Sequence, residues 1–198
     1  MIECQAVPPR MSDDELEKDD VAIRHQYEKF GVTEYYRQFG AKYRNPHEEQ
    51  IKIILKLIVE RWHLLSDYRV LDLACGSGEC TLALRSLGFT SIDGIDPYTA
   101  DAYYYRTGQK AQTFTFANIA DGCLEDFYDV IICSFALHLV EQSWLPALMI
   151  QLKFISNRLI ILSPHKRPFI SPEWGWILKE EFVENRIHAK LYTTDLTE

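Results

Sequence analysis

RVLDLACGSGECTLALRSLGFTSIDGIDP, residues 69–97, decides the fold. Its first part, residues 69–74, is a short apolar run that stops at Cys75-Gly76-Ser77-Gly78. A run of this length, bounded by turn residues, predicts a buried strand. The glycines give the chain a tight turn. Residues 79–87 then predict a helix, and residues 91–97 a second strand that ends in an acid, Asp96. Strand, Gly-rich turn, helix and strand in that order form one unit of a parallel sheet with a ligand site at the turn.

The same alternation continues downstream. Residues 98–108 predict a short helix ended by Gly108, and AQTFTFAN (111–118) alternates like a strand. Residues 120–128 are a short helix or loop, and DVIICSFAL (129–137) has the continuous apolar texture of a central parallel strand. An amphipathic helix over 145–156, a buried strand over 157–165, a Pro- and Trp-rich loop and a last strand over 186–195 complete the series. The predicted fold class is α/β: an open, doubly wound, mostly parallel sheet. Ligands bind such sheets at the carboxyl ends of the strands, near the point where the winding reverses.

Upstream, the pattern is helical. Asn45-Pro46-His47-Glu48-Glu49 predicts a helix start, with Asn45 as the cap, Pro46 in the first position and two acids in the first turn. Ile51, Ile54, Leu55, Ile58 and Trp62 follow at helical spacing. Residues 1–20 resemble a flexible acidic tail, with SDDELEKDD at 12–20, and a helix is plausible from 13 to 30. The expected organisation is this tail followed by one domain over 21–198. Within it, a helical cover spans 21–65 and the sheet core 66–198.

Composition excludes several function classes. With 29 acidic and 21 basic residues the net charge is −8, which disfavours a nucleic-acid or anionic-membrane partner. No apolar run reaches the ~18 residues of a membrane span. The five cysteines include no CxxC pair, so no metal site is expected. Free thiols and the lack of a basic-then-apolar leader point to the cytoplasm.

Two cofactor classes compete for the turn. A dinucleotide site favours GxGxxG or GxGxxA, but the third position here is Thr81. Asp72 at the end of the first strand would also repel a pyrophosphate, whereas it suits a ligand carrying an ammonium group.

VLDLACGSG resembles the first motif of the class I S-adenosylmethionine-dependent methyltransferases, with Asp72, Ala74, Gly76 and Gly78 at the family's acid and small-residue positions. The resemblance covers about residues 65–165. It implies that Asp96, 20 residues after Gly76, meets the ribose hydroxyls. Asn118 and Ile119, at the end of the strand over 111–118, would meet the adenine. Residues 128–139 are similar to the fourth-strand motif, which brings in Ser134 and the following His138. The family sheet has seven strands. Because only 33 residues follow His165, the C-terminal strands are expected to be shortened. YRNPHE and PHKRP also resemble segments of a group of small methyltransferase-like proteins.

Further residues are expected at the mouth. His138 could act as a base, although an in-line methyl displacement can rely on positioning alone. Arg44 could hold a carboxylate of the cofactor or of the substrate. Tyr35 and Tyr36, with Tyr43, could line the pocket. His165, Lys166 and Arg167 could hold an anionic substrate group, and Trp174 and Trp176 could form a lid wall. A Cys133 nucleophile is disfavoured, since no basic group adjoins it. The expected function is methyl transfer from S-adenosylmethionine, with S-adenosylhomocysteine as product, to a small molecule. The alternatives are a catalytically silent S-adenosylmethionine-binding sensor or subunit, a protein methyltransferase and, opposed by Asp72 and Thr81, an NAD-dependent oxidoreductase. Oligomeric state is left open.

Overall fold

In a computed structural model, residues 43–194 are described, together with Glu34 and Gly40. The acidic tail, the helix over 13–30, Tyr35 and Tyr36 lie outside the described residues. The described chain runs α1 (Glu48–Arg61), β1 (Val70–Leu73), α2 (Glu79–Ser86), β2 (Ile92–Ile95), α3 (Ala100–Thr107), α4 (Phe116–Ala120), β3 (Val130–Ser134), α5 (Leu145–Ile155), β4 (Arg158–Ser163), β5 (Ile177–Glu184) and β6 (Ile187–Thr193).

These strands form one sheet in the order β2-β1-β3-β4-β6-β5. β2, β1, β3 and β4 pair in parallel, while β6 runs antiparallel to both β4 and β5. The central strands are apolar on both sides because both faces are covered. Leu71, Leu73, Ile131 and Cys133 point to the face that carries Leu148, Met149 and Leu152 of α5. Val70, Ile132 and Ile160 point to the other face, against Ile51, Ile54, Leu55 and Ile58 of α1 and Leu84 of α2. This alternation follows from the two-residue period of a strand. Each such side chain, once buried, contributes about 1.5–3 kcal/mol. From β1 the chain winds to β2 on one side, and from β3 it winds to β4 on the other. The crevice between β1 and β3 is therefore the switch point.

Four expectations are corrected. The segment 111–118 is not a strand. Among the described residues its one bridge to β2 is at Gln112, whose N–H donates to Gly94 O at 2.8 Å and whose carbonyl accepts from Asp96 N at 2.9 Å. The chain then turns into α4, where Thr115 Oγ1 accepts from Asn118 N at 3.1 Å and Asn118 Oδ1 accepts from Thr115 N at 3.0 Å. Phe114 and Phe116 alternate because both meet a cavity, not because they sit in a ladder.

The C-terminal strands, in contrast, are complete. Residues 176–182, unassigned from the pattern, supply most of β5, which forms a hairpin with β6. Asn185 and Arg186 both have positive φ (47° and 65°), as a two-residue hairpin turn requires. The shortening thus falls at the opposite edge, beyond β2. Finally, α1 begins at Glu48. The Asn45 side chain accepts from His47 N at 2.9 Å, so it closes a turn ahead of the helix and does not cap it. Among the described residues, no helix is long and apolar enough to cross a membrane.

Trp176 is a core residue and not a lid. It is fully buried, and its Nε1 donates to Met149 O at 2.8 Å on α5. Replacing Trp176 by Ala should cost about 3–5 kcal/mol in denaturant unfolding. Trp176→Phe, which keeps most of the volume, should cost about 1–3 kcal/mol for the lost hydrogen bond. A Trp176→Ala variant as stable as the parent would contradict the core placement.

Candidate cofactor site

The turn after β1 is built from left-handed backbone. Ala74, Gly76 and Gly78 have φ of 58°, 56° and 94°. Gly78 is required by packing as well as by φ, because a Cβ there would lie 2.6 Å from Thr107 Cγ2 of α3. Ala74 bears the cost of a Cβ in this region, about 1–2 kcal/mol. Phe135, just past β3, carries the same kind of strain at φ 57°. Both strained residues flank the switch point, where such backbone is typical of functional sites.

Two amides of this turn and one in the first turn of α2 are taken by three carboxylates of the chain itself. Gly76 N donates to Asp96 Oδ2 at 3.2 Å, Ser77 N to Glu79 Oε2 at 3.1 Å and Thr81 N to Asp72 Oδ2 at 3.1 Å. Asp72 is fully buried and also accepts from Thr81 Oγ1 at 2.6 Å, while its Oδ1 has no hydrogen-bond partner among the described residues. Burial pushes its pKa up to about 7, against the pull of the Thr81 hydroxyl. Asp96 is also raised by burial, opposed by hydrogen bonds from Tyr98 N, Thr99 N and Gly76 N.

Glu79 anchors the preceding segment to the turn. Its Oε1 accepts from Asn45 N at 2.9 Å, from Ser77 Oγ and from Arg106 Nη1 at 3.1 Å. Arg106, on α3, also donates to Glu48 of α1. One guanidinium thus ties α1, the turn and α3 together. Tyr43 lies over Gly76, 3.2 Å from where a Cβ would stand. His47 stacks on Phe135 with ring centroids 5.0 Å apart.

A cavity of about 510 Å³ opens over this turn at the carboxyl ends of β1, β2 and β3. Of the residues expected to bind cofactor, Ala74, Gly76, Asp96, Ile119 and Ser134 lie on its wall. Asp72 and Gly78 lie beneath the turn and not on the wall. Asn118 is corrected: its amide is spent on the Thr115 capping box, and the side chain is exposed. Arg44 is exposed and off the cavity wall, and its Nη1 donates to the neighbouring Tyr43 O at 2.8 Å. His138 sits on the short 3-10 turn Leu137–Leu139, between the wall residues Ala136, Leu139 and Val140. Its ring meets His165 edge-on, with centroids 5.7 Å apart. His165 and Arg167 are exposed beyond the wall. Burial pushes the Cys133 thiol up to about 12, which makes it a poor nucleophile.

Residues not expected at the site from the sequence also form the wall, notably Glu79, Asn45, Tyr98, Phe114, Phe135 and Trp144. By sequence position Glu79 is an ordinary first-turn acid of α2. Its role depends on Asn45 and Arg106, which are 34 and 27 residues away.

Comparison with known proteins gives the family and the fold. Residues 32–195 match the family model described as a methyltransferase domain. An uncharacterised protein of Schizosaccharomyces pombe is 31% identical over 226 residues, covering 86% of this chain and 91% of that one. Among solved structures, the magnesium protoporphyrin IX methyltransferase of Synechocystis with bound S-adenosylhomocysteine is similar at TM-score 0.56 and 16% identity, covering 89% of this chain and 100% of that one. A ribosomal protein L11 methylase of Lactobacillus delbrueckii subsp. bulgaricus is similar at TM-score 0.55 and 16% identity, covering 76% and 80%. The fold is that of the class I S-adenosylmethionine-dependent methyltransferases. The chain belongs to the methyltransferase-domain family.

The raised Asp72 pKa makes a stability prediction. A carboxyl that moves from 3.8 to about 7 on folding favours the folded state fully below about pH 4. That contribution is lost as pH rises to about 7. Asp72→Asn carries no charge, so between pH 5 and pH 8 the parent's melting temperature should fall relative to this variant. Parallel curves over that window would contradict an Asp72 held in this environment.

Proposed function

We propose that this protein transfers the methyl group of S-adenosylmethionine to a small-molecule acceptor. The observation that carries the reading is the capture of backbone amides in the turn and at the start of α2 by Glu79, Asp96 and Asp72. A pyrophosphate needs those N–H groups and is repelled by the acids that hold them. A ligand with hydroxyl and ammonium donors meets acceptors instead. Asp96 on the wall suits two ribose hydroxyls through charge-assisted bonds. The unsatisfied Oδ1 of Asp72 suits an ammonium group, reached through a water or a small shift of the turn. Phe114, Phe116 and Ile119 offer an apolar slot for a purine. The cavity volume falls in the range of about 300–1,000 Å³ usual for cofactor sites.

When bound, S-adenosylmethionine supplies an electrophilic methyl: the acceptor's lone pair bonds to it, the C–S bond breaks with its electron pair going to sulfur to leave S-adenosylhomocysteine, and the acceptor's proton passes to a base or to solvent. The chain's part is mainly to position the two reactants, which by itself supplies a large share of such a rate. Leu139, Val140 and Trp144 form the outer wall, where the acceptor packs and water is excluded. His138, at the rim beside His165, is assigned as proton acceptor. A cytoplasmic setting belongs to the same proposal, supported by free thiols at Cys75, Cys80, Cys123 and Cys133.

S-adenosylhomocysteine should raise the melting temperature of the purified protein. Asp96→Ala should weaken its binding at least about a hundred-fold, through two lost charged hydrogen bonds. Asp96→Asn keeps an oxygen for the Tyr98 and Thr99 amides, and should fold normally yet bind at least about ten-fold more weakly. Incubated with methyl-labelled cofactor and cell extract, the protein should place label in the small-molecule fraction. Label in protein would replace the acceptor class. Cofactor binding with no label anywhere would leave a silent binding protein.

A further inference from the structure

Between Glu141 and Glu173 the chain contains no acidic residue, yet it carries Lys153, Arg158, Lys166 and Arg167. In a protein of net charge −8 this is a local reversal of sign. Two of these cations, with His165 between them and β4, project from one short loop at the carboxyl end of that strand. The loop is held firmly from within. Ser163 Oγ donates to Arg167 O at 2.9 Å and accepts from His165 N at 3.2 Å, closing the turn across its base. Lys190 of β6, itself 9% exposed, donates its Nζ to Lys166 O at 2.7 Å. Pro168 and Ile170 are buried and anchor the exit.

The backbone is thus fixed while the side chains of His165, Lys166 and Arg167 stay exposed. Neither Lys166 nor Arg167 forms an ion pair among the described residues. Holding like charges together without partners costs energy through self-repulsion, and an anion placed among them relieves it. The loop also adjoins the proposed reaction site. β4 lies two strands from β1, about 10 Å across the sheet. His165 meets His138, whose neighbours Ala136, Leu139 and Val140 line the cavity. Glu141 lies on the cavity wall itself, so an anionic group is steered off that wall toward the loop.

Resting on the methyl-transfer reading above, we propose that His165, Lys166 and Arg167 hold an anionic oxygen group of the acceptor, a carboxylate or a phosphate. The acceptor is then a small acid. Its anion sits over the β4 loop, and its nucleophile reaches back past Leu139 and Val140 to the cofactor. Arg167 can take two oxygens of either group at once, and Lys166 adds a point charge.

The test starts from a small-molecule extract separated on an anion exchanger before reaction. Each fraction is offered to the full-length protein with methyl-labelled S-adenosylmethionine. The retained, acidic fractions should support transfer. Phosphatase treatment of the active fraction abolishes transfer if the group is a phosphate and spares it if it is a carboxylate. In the Lys166→Gln/Arg167→Gln variant, KM for the active fraction should rise about ten- to hundred-fold, while S-adenosylhomocysteine affinity and kcat at saturation stay at the parent's values. Arg167→Lys should recover part of the loss. Transfer confined to the unretained fractions, or an unchanged KM in the double variant, overturns the anionic-acceptor proposal alone. Failure to bind S-adenosylhomocysteine, or binding with no transfer in any fraction, overturns the methyl-transfer reading and this proposal with it.

Discussion

Three carboxylates hold the Gly-rich turn and the start of α2 by their backbone amides, and the rest of the site follows from that arrangement. The turn exposes N–H groups at the start of a helix, where the helix dipole favours negative charge. In nucleotide-binding folds an incoming phosphate supplies that charge. Here Asp72, Glu79 and Asp96 supply it from within the chain. The site is therefore electrostatically complete before any ligand arrives, and what remains to be satisfied is acceptor capacity. A cavity of this kind selects ligands that bring donors.

Keeping three acids so close together has structural consequences. Glu79 is compensated directly by Arg106, which spans to Glu48 and brings α1 over the turn. Among the described residues Asp72 and Asp96 have no such cation and are compensated by hydroxyl and amide donors, so burial raises both pKa values. Thr99 closes the arrangement by donating its hydroxyl to Gly76 O at 2.7 Å. The turn is thereby held from three sides: by the segment Tyr43–His47, by α3, and by the loop after β2. The left-handed backbone at Ala74 and Phe135 persists because these surroundings leave it no alternative.

What could be read from the sequence was what is local. Residues 69–97 hold a strand, a turn, a helix and an acid within one short unit, so their pattern alone placed β1, α2, β2 and Asp96. The segment 111–118 was misread because Phe114 and Phe116 imitate a strand's period while facing a cavity. Asn118 fell with it, its side chain committed three residues back to Thr115. β5 escaped notice because Lys179, Glu180, Glu181 and Glu184 give it the charged texture of an edge strand, which protects an exposed edge from pairing with other chains. Trp176 resembled a loop aromatic until its partner, Met149, was in view. The Glu48–Arg106–Glu79 link joins three elements distant in sequence, and no local pattern signals it. The fold was thus legible almost throughout, whereas most of the cavity wall was not.

The central claim is that this turn accepts a donor-bearing sulfonium cofactor and refuses a pyrophosphate. Calorimetric titration of the full-length protein with S-adenosylhomocysteine and, separately, with NAD tests it directly. The account predicts saturable one-site binding of S-adenosylhomocysteine and no measurable heat with NAD. Tight binding of NAD, with none of S-adenosylhomocysteine, would contradict it.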